Sequence, residues 1–149
     1  MINQEDIEVD QFEMKKAHYP DILRSGGLGP CIAIGVYDPN TRSGYMMHEP
    51  HFQYAKLDEK IQKILRDYKD ASRLKIFVAG NSLSSHDDNT QRGFEMSNRP
   101  HVERCMKKYF QDSQVRIQWV PDDHCAELYL DTSTGKFTLD APSLEELLE

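Results

Sequence analysis

The chain has no apolar run approaching the roughly 18 residues that a membrane-spanning helix requires, so membrane insertion is not expected. It also lacks a basic surplus. Its 18 Lys and Arg stand against 25 Asp and Glu, a formal charge of -7, which excludes a general phosphate-backbone binder and makes nucleic acid an unexpected partner. Cysteine is scarce: Cys31, Cys105 and Cys125 are an odd number without C-x-x-C spacing. Free thiols in a reducing compartment are expected rather than a disulfide framework. The opening Met-Ile-Asn-Gln-Glu-Asp has neither the basic flank nor the apolar core of a secretory leader. The expected location is the cytoplasm, or delivery as an effector without a recognisable signal. There is no internal repeat and no linker composition, so residues 1–149 are expected to form one domain.

What the sequence does contain is short apolar alternation broken by turns. Ile7 and Val9, then Phe12 and Met14, alternate with one slip between the pairs, which predicts a strand with a bulge or bend before a turn at Tyr19-Pro20. Residues 31–37 are apolar on both faces and predict a central strand covered on both sides. A turn over Asp38–Gly44 then leads to an antiparallel partner strand, Tyr45 to His48. Leu57, Ile61, Ile64, Leu65 and Tyr68 predict an amphipathic helix over about 54–70. A buried strand is expected over Arg73–Asn81, followed by a polar loop from Gly80 to Ser97 suited to recognition. A second helix opens at Asn98-Arg-Pro100, with Val102, Cys105, Met106, Tyr109 and Phe110 as its stripe. Strands follow at Val115–Trp119, Ala126–Asp131 and Lys136–Leu139. A short C-terminal helix carries Ser143 and Glu146 at capping-box spacing. Two main helices among these strands predict an α+β fold with helices on a mainly antiparallel sheet.

The stretch from Ser25 to His48 concentrates the chemistry. Ser25-Gly-Gly-Leu-Gly-Pro-Cys31 is a glycine-rich bend that delivers a thiol to the start of an apolar strand, and the next strand ends at His48. An imidazole beside a cysteine can stabilise its thiolate and return the proton to a leaving group. A hydroxyl such as that of Ser25 can fix the tautomer of the histidine. Gly26, Gly27 and Gly29 let the backbone approach a substrate closely and turn N–H groups toward a developing oxyanion. On this reading Cys31 is the cysteine expected to react fastest with iodoacetamide at neutral pH. Each residue also has a plainer use: a small buried hydrophobe, a hydrogen-bonded histidine, a tight bend.

As a whole the segment resembles the CheD family of chemoreceptor glutamine deamidases. Leu28-Gly-Pro-Cys31 matches the family's bend, Val36-Tyr-Asp-Pro39 its strand end, and Gly44-Tyr-Met-Met-His48 its histidine strand. Ser25, six residues before Cys31, stands where the family has threonine, and His48 follows seventeen residues after the cysteine. Pro30 stands where the family has serine. The resemblance implies Cys31 as nucleophile, His48 as general base and acid, Ser25 as the orienting hydroxyl, and Gly27, Leu28 and Gly29 as the backbone that meets oxyanion and substrate. It implies hydrolysis of a protein's glutamine side chains to glutamate through a Cys thioester, with no cofactor and no metal. The partner implied is a protein bearing an exposed glutamine, a chemoreceptor or another target. The layered α/β/β sandwich implied is shared with the catalytic domains of cytotoxic necrotizing factor toxins. Two further readings stand beside it. One is a catalytically silent CheD-like binding module. The other is a domain stabilised by zinc through His48-Glu-Pro-His51 with Cys31, or through His124-Cys125.

Overall fold

The computed structural model describes residues 3–50 and 56–148. Its strands in chain order are β1 (Asp6–Glu8), β2 (Met14–His18), β3 (Ile22–Leu28), β4 (Ile32–Asp38) and β5 (Ser43–Glu49). They are followed by α1 (Leu57–Asp67), β6 (Lys75–Gly80), α2 (Asn89–Met96) and α3 (Asn98–Tyr109). Then come β7 (Val115–Trp119), β8 (Ala126–Asp131), β9 (Lys136–Asp140) and the short α4 (Leu144–Leu147).

The strands form two sheets, ordered β1-β3-β8-β9 and β2-β5-β4-β6-β7. The β1–β3 and β6–β7 ladders are parallel and the others antiparallel. Strand β4 is the centre of the larger sheet, and every one of its residues is buried. The two-residue period of a strand sends its alternate side chains to opposite layers. Ile32, Ile34 and Val36 of β4 pack with Leu57, Ile61 and Ile64 of α1 and with Val102, Cys105 and Met106 of α3. Cys31, Ala33 and Tyr37 pack the other way, with Leu23 and Leu28 of β3 and Leu128 and Leu130 of β8. The architecture is therefore α+β, with one helical layer on the larger sheet and the smaller sheet against its other face.

Three expectations are corrected. The alternation over 7–16 is not one strand: β1 pairs with β3 in the smaller sheet and β2 with β5 in the larger. The slip between Val9 and Phe12 is the turn at which the chain changes sheets, and Phe12 there takes φ +70°. The glycine-rich bend is the end of a strand, β3, whose pairing with β8 shifts register between Ser25 and Leu28. Gly27 at φ +66° absorbs the extra residue. The polar stretch 80–97 contains helix α2, which buries only Glu95 and so carries no apolar stripe. It is started by Asp88, whose side chain accepts the Gln91 N–H. The expected helix over 54–70 is present as α1 over Leu57–Asp67; residues 54 and 55 of that expectation lie outside the described ones.

Strand β6 lies so close to the start of β4 that Gly80 has no room for a side chain. Gly80 has φ +125°, and a Cβ there would meet the Cys31 carbonyl oxygen at 2.3 Å and Ile32 Cα at 3.0 Å. Both obstacles are backbone, so the strands themselves would have to part. Gly80→Ala is expected to lower stability by about 1–3 kcal/mol, as overpacking does, read as a fall in the urea midpoint at unchanged m-value. A variant as stable as the parent would contradict this close packing.

Candidate active site

His48 is placed by sheet register. Its Cα partner on β4 is Ala33, and Ile32 pairs with Glu49, so Cys31 stands diagonally across the ladder from His48. Cys31, Ala33 and Met46 belong to the core between the two sheets, and period two puts His48 on that same face. Ser25 reaches it from the smaller sheet. The sequence-predicted Ser25, Cys31 and His48 thus converge in the layer between the sheets, at 0%, 5% and 2% exposure.

Proton accounting fixes the role of each ring nitrogen. The Ser25 hydroxyl donates to the Val9 carbonyl at 2.7 Å, and its oxygen lies 2.8 Å from His48 Nδ1. A hydroxyl has one proton to give and the carbonyl can only accept. Nδ1–H is therefore the donor to Ser25, and Nε2 carries a bare lone pair. Nε2 is buried with no hydrogen-bond partner among the described residues. A buried unpartnered acceptor is costly in a merely structural setting, and it is what a general base must present.

Burial lowers the His48 pKa below the usual 6.5, opposed by the nearby Val9 carbonyl and by the charge of Asp10. Burial also pushes the Cys31 thiol above 9.0, against a hydrogen bond from Gln11 and with the charges of Glu49 and Glu95. Both shifts favour the uncharged forms, a thiol and a neutral imidazole, over a thiolate and an imidazolium. The surroundings therefore do not favour the fast neutral-pH alkylation expected of Cys31 from its bend position. Of the other cysteines, Cys105 is pushed up to about 12 by burial and Asp58, while Cys125 is half-buried.

The turn between β1 and β2 supplies residues the sequence reading missed. Its backbone clamps β5: Phe12 N–H donates to the His48 carbonyl at 3.0 Å, and His48 N–H donates to the Glu13 carbonyl at 3.1 Å. The same turn aims Gln11 Nε2 at Cys31 Sγ, 3.6 Å away. The slip in alternation at Asp10-Gln11 is the signal that marked this turn. Helix α2 gave no such signal, yet it brings Glu95 to the site. Asn81 Nδ2 donates to the carbonyls of both Pro30 and Glu95, each at 3.3 Å. Glu95 Oε1 accepts from Gln91 at 2.8 Å, and its Oε2 is buried without a partner among the described residues.

A cavity of about 300 Å³ is lined by Gly27, Gly29, Pro30, Ser82, Glu95 and Cys125, among others; it reaches the residue before Cys31, and Cys31 itself is not part of the lining. A Cβ added at Gly27 or Gly29 would meet nothing within 4 Å, so both border open space. Leu28 between them turns its side chain into the core. The Gly29 N–H is donated to the Gly27 carbonyl at 3.0 Å, and the Ser82 N–H to the Gly29 carbonyl at 2.8 Å. As for zinc, His51 lies outside the described residues. Among the described residues no three His, Cys, Asp or Glu side chains converge as a metal site, and no helix is long and apolar enough to cross a membrane.

This geometry can be set beside known proteins. Two curated proteins from two strains of Desulfitobacterium hafniense, each named probable chemoreceptor glutamine deamidase CheD, are 34% identical to this chain over 87 residues. Over that stretch the chain is similar to CheD. The match covers 50% of this chain and 54% of the relatives, so the chain spans about half the length of the curated relatives it matches. No family model matches. A solved structure, the Bacillus licheniformis hypothetical protein YfiH, aligns with a TM-score of 0.44 at 10% identity, over 65% of this chain and 46% of that one. So remote a likeness carries no argument.

The electrostatics predict how the thiol titrates. With its pKa above 9.0, the Cys31 thiolate fraction should still be rising beyond that pH. Iodoacetamide labelling followed by peptide mapping should show Cys125 labelled ahead of Cys31 at neutral pH, with the Cys31 rate climbing steeply in alkali. A Cys31 rate that levels off in the acid range would mark a resting ion pair instead.

Proposed function

We propose that this chain is a cysteine hydrolase that converts glutamine side chains of a protein substrate to glutamate, with Cys31, His48 and Ser25 as its catalytic residues. The observation that carries the reading is the Val9–Ser25–His48 relay, which leaves the Nε2 lone pair bare in the layer that holds the Cys31 thiol. The CheD-like sequence adds the substrate class: a chemoreceptor glutamine is the first target to try.

The chemistry follows from the uncharged pair. As the Cys31 sulfur bonds the carboxamide carbon, its proton passes to His48 Nε2 and the carbonyl π electrons move to oxygen. Collapse of that oxyanion breaks the C–N bond, and the imidazolium gives its proton to the departing ammonia. Water then adds to the thioester, with His48 taking its proton, and the acid leaves as the thiol is restored. Neither step leaves a resting charge in the buried layer. The Ser25 oxygen accepts from Nδ1–H throughout and holds the ring in its working tautomer. Gly27 and Gly29 border the cavity, and the backbone from Gly27 through Leu28 to Gly29 is where a substrate chain would lie.

The low exposure of Cys31 favours one other reading, a silent CheD-like module that captures a protein without turning it over. Incubation with a glutamine-bearing chemoreceptor cytoplasmic fragment separates the two, with the amide-to-acid mass change as readout. Cys31→Ala should abolish conversion. His48→Ala should lower it roughly 10²- to 10⁴-fold. Ser25→Ala removes one neutral hydrogen bond, worth about 0.5–1.5 kcal/mol, and should cost about two- to tenfold, while Ser25→Thr should retain activity. Conversion by His48→Ala at the parent rate would overturn the proposed dyad, and capture without conversion would favour the silent module.

A further inference from the structure

We infer that Gln11 is the oxyanion donor of this site, a side-chain N–H aimed at the sulfur. The inference rests on Cys31 being the nucleophile. Its starting point is that several neighbouring backbone donors are engaged elsewhere. Pro30 has no N–H to offer. The Gly29 N–H is donated to the Gly27 carbonyl, the Asn81 N–H to the Cys31 carbonyl and the Ser82 N–H to the Gly29 carbonyl, at 3.0, 2.9 and 2.8 Å. The glycine bend is therefore closed upon itself and upon the loop after β6.

The need for a donor is acute here, because the charges of Glu49 and Glu95 both act on the Cys31 sulfur. They oppose any negative charge that develops beside it. Gln11 meets that need directly. Its Nε2–H points at Sγ from 3.6 Å. When a carbonyl carbon bonds Sγ, its oxygen stands two bonds from the sulfur, so a small rotation brings this N–H within the roughly 2.7–3.1 Å at which an oxyanion donor works. The turn that carries Gln11 is held in place. Asp10 N–H donates to Glu13 Oε1 at 2.8 Å, and Glu13 N–H to the Asp10 carbonyl at 3.0 Å. Phe12 and Glu13 are bonded to the backbone of His48. One turn thus fixes both the base and the donor, and Gln11, exposed on its outer side, has room to follow the forming tetrahedral centre.

The test compares a reaction that forms an oxyanion with one that does not. The p-nitrophenyl acetate probe acylates cysteine through a tetrahedral oxyanion, forming the S–C bond and expelling p-nitrophenolate. Iodoacetamide alkylates the same sulfur by direct displacement of iodide. Both rates are measured at Cys31 by peptide mapping, in the parent protein, Gln11→Ala and Gln11→Glu. The expected result is an acylation-to-alkylation rate ratio about 10²-fold lower in both variants: losing the N–H that supports the resting sulfur slows both reactions, and the oxyanion donor is missed by acylation alone, Gln11→Glu keeping the size but presenting only acceptors. Both rates rising together would show Gln11 to be a cover over the sulfur, and both falling by the same factor a support for the thiolate alone. Equal acylation in all three proteins would likewise overturn the inference. A parent protein not acylated at Cys31, or acylated as fast after His48→Ala, would instead contradict the nucleophile reading on which it rests.

Discussion

The relay from His48 Nδ1–H through the Ser25 hydroxyl to the Val9 carbonyl is the contact on which the site depends. It crosses from the larger sheet to the smaller one at 2.8 and 2.7 Å, in a layer that is otherwise apolar packing. A lone imidazole in such a layer would leave two polar nitrogens unanswered, at a cost of about 1–3 kcal/mol each. The relay answers one and leaves the other exposed to chemistry. Because its members come from three separate strands or turns, the ring is oriented only when both sheets are packed together. Fold and base are assembled in one event.

That arrangement trades resting reactivity for control. The usual way to activate a cysteine is to lower its pKa beside a cation. Here burial and two carboxylates push the other way, and the histidine is held neutral by the same burial. On the proposed mechanism the thiol stays quiet until a substrate carbonyl lets the proton and the new bond move together. The residues that position this event come from segments with no regular structure of their own pattern: the turn at 9–13, the Gly27 irregularity, and Asn81 at φ +54° after β6.

Much of this was legible in the sequence. The central strand was readable because β4 is buried on both faces and so shows an unbroken apolar run, and α1 and α3 because their stripes pack on it. Cys31 and His48 could be placed together because a tight turn fixes the register of neighbouring strands. What escaped detection had no hydrophobic signal. Strand β3 is written Ile-Leu-Arg-Ser-Gly-Gly-Leu, and its glycines and buried serine erase the alternation. Helix α2 buries a glutamate, the residue type least expected inside. Gln11 was invisible because its role comes from where a turn ends, and sheet-switching turns are set by tertiary packing.

The tautomer of His48 is the most direct measure of the account. Nitrogen-15 NMR of the imidazole at neutral pH should show a proton on Nδ1 and an unprotonated Nε2, in the parent protein without substrate. A proton found on Nε2 would contradict the relay, since the lone pair required to receive the Cys31 proton would then be missing.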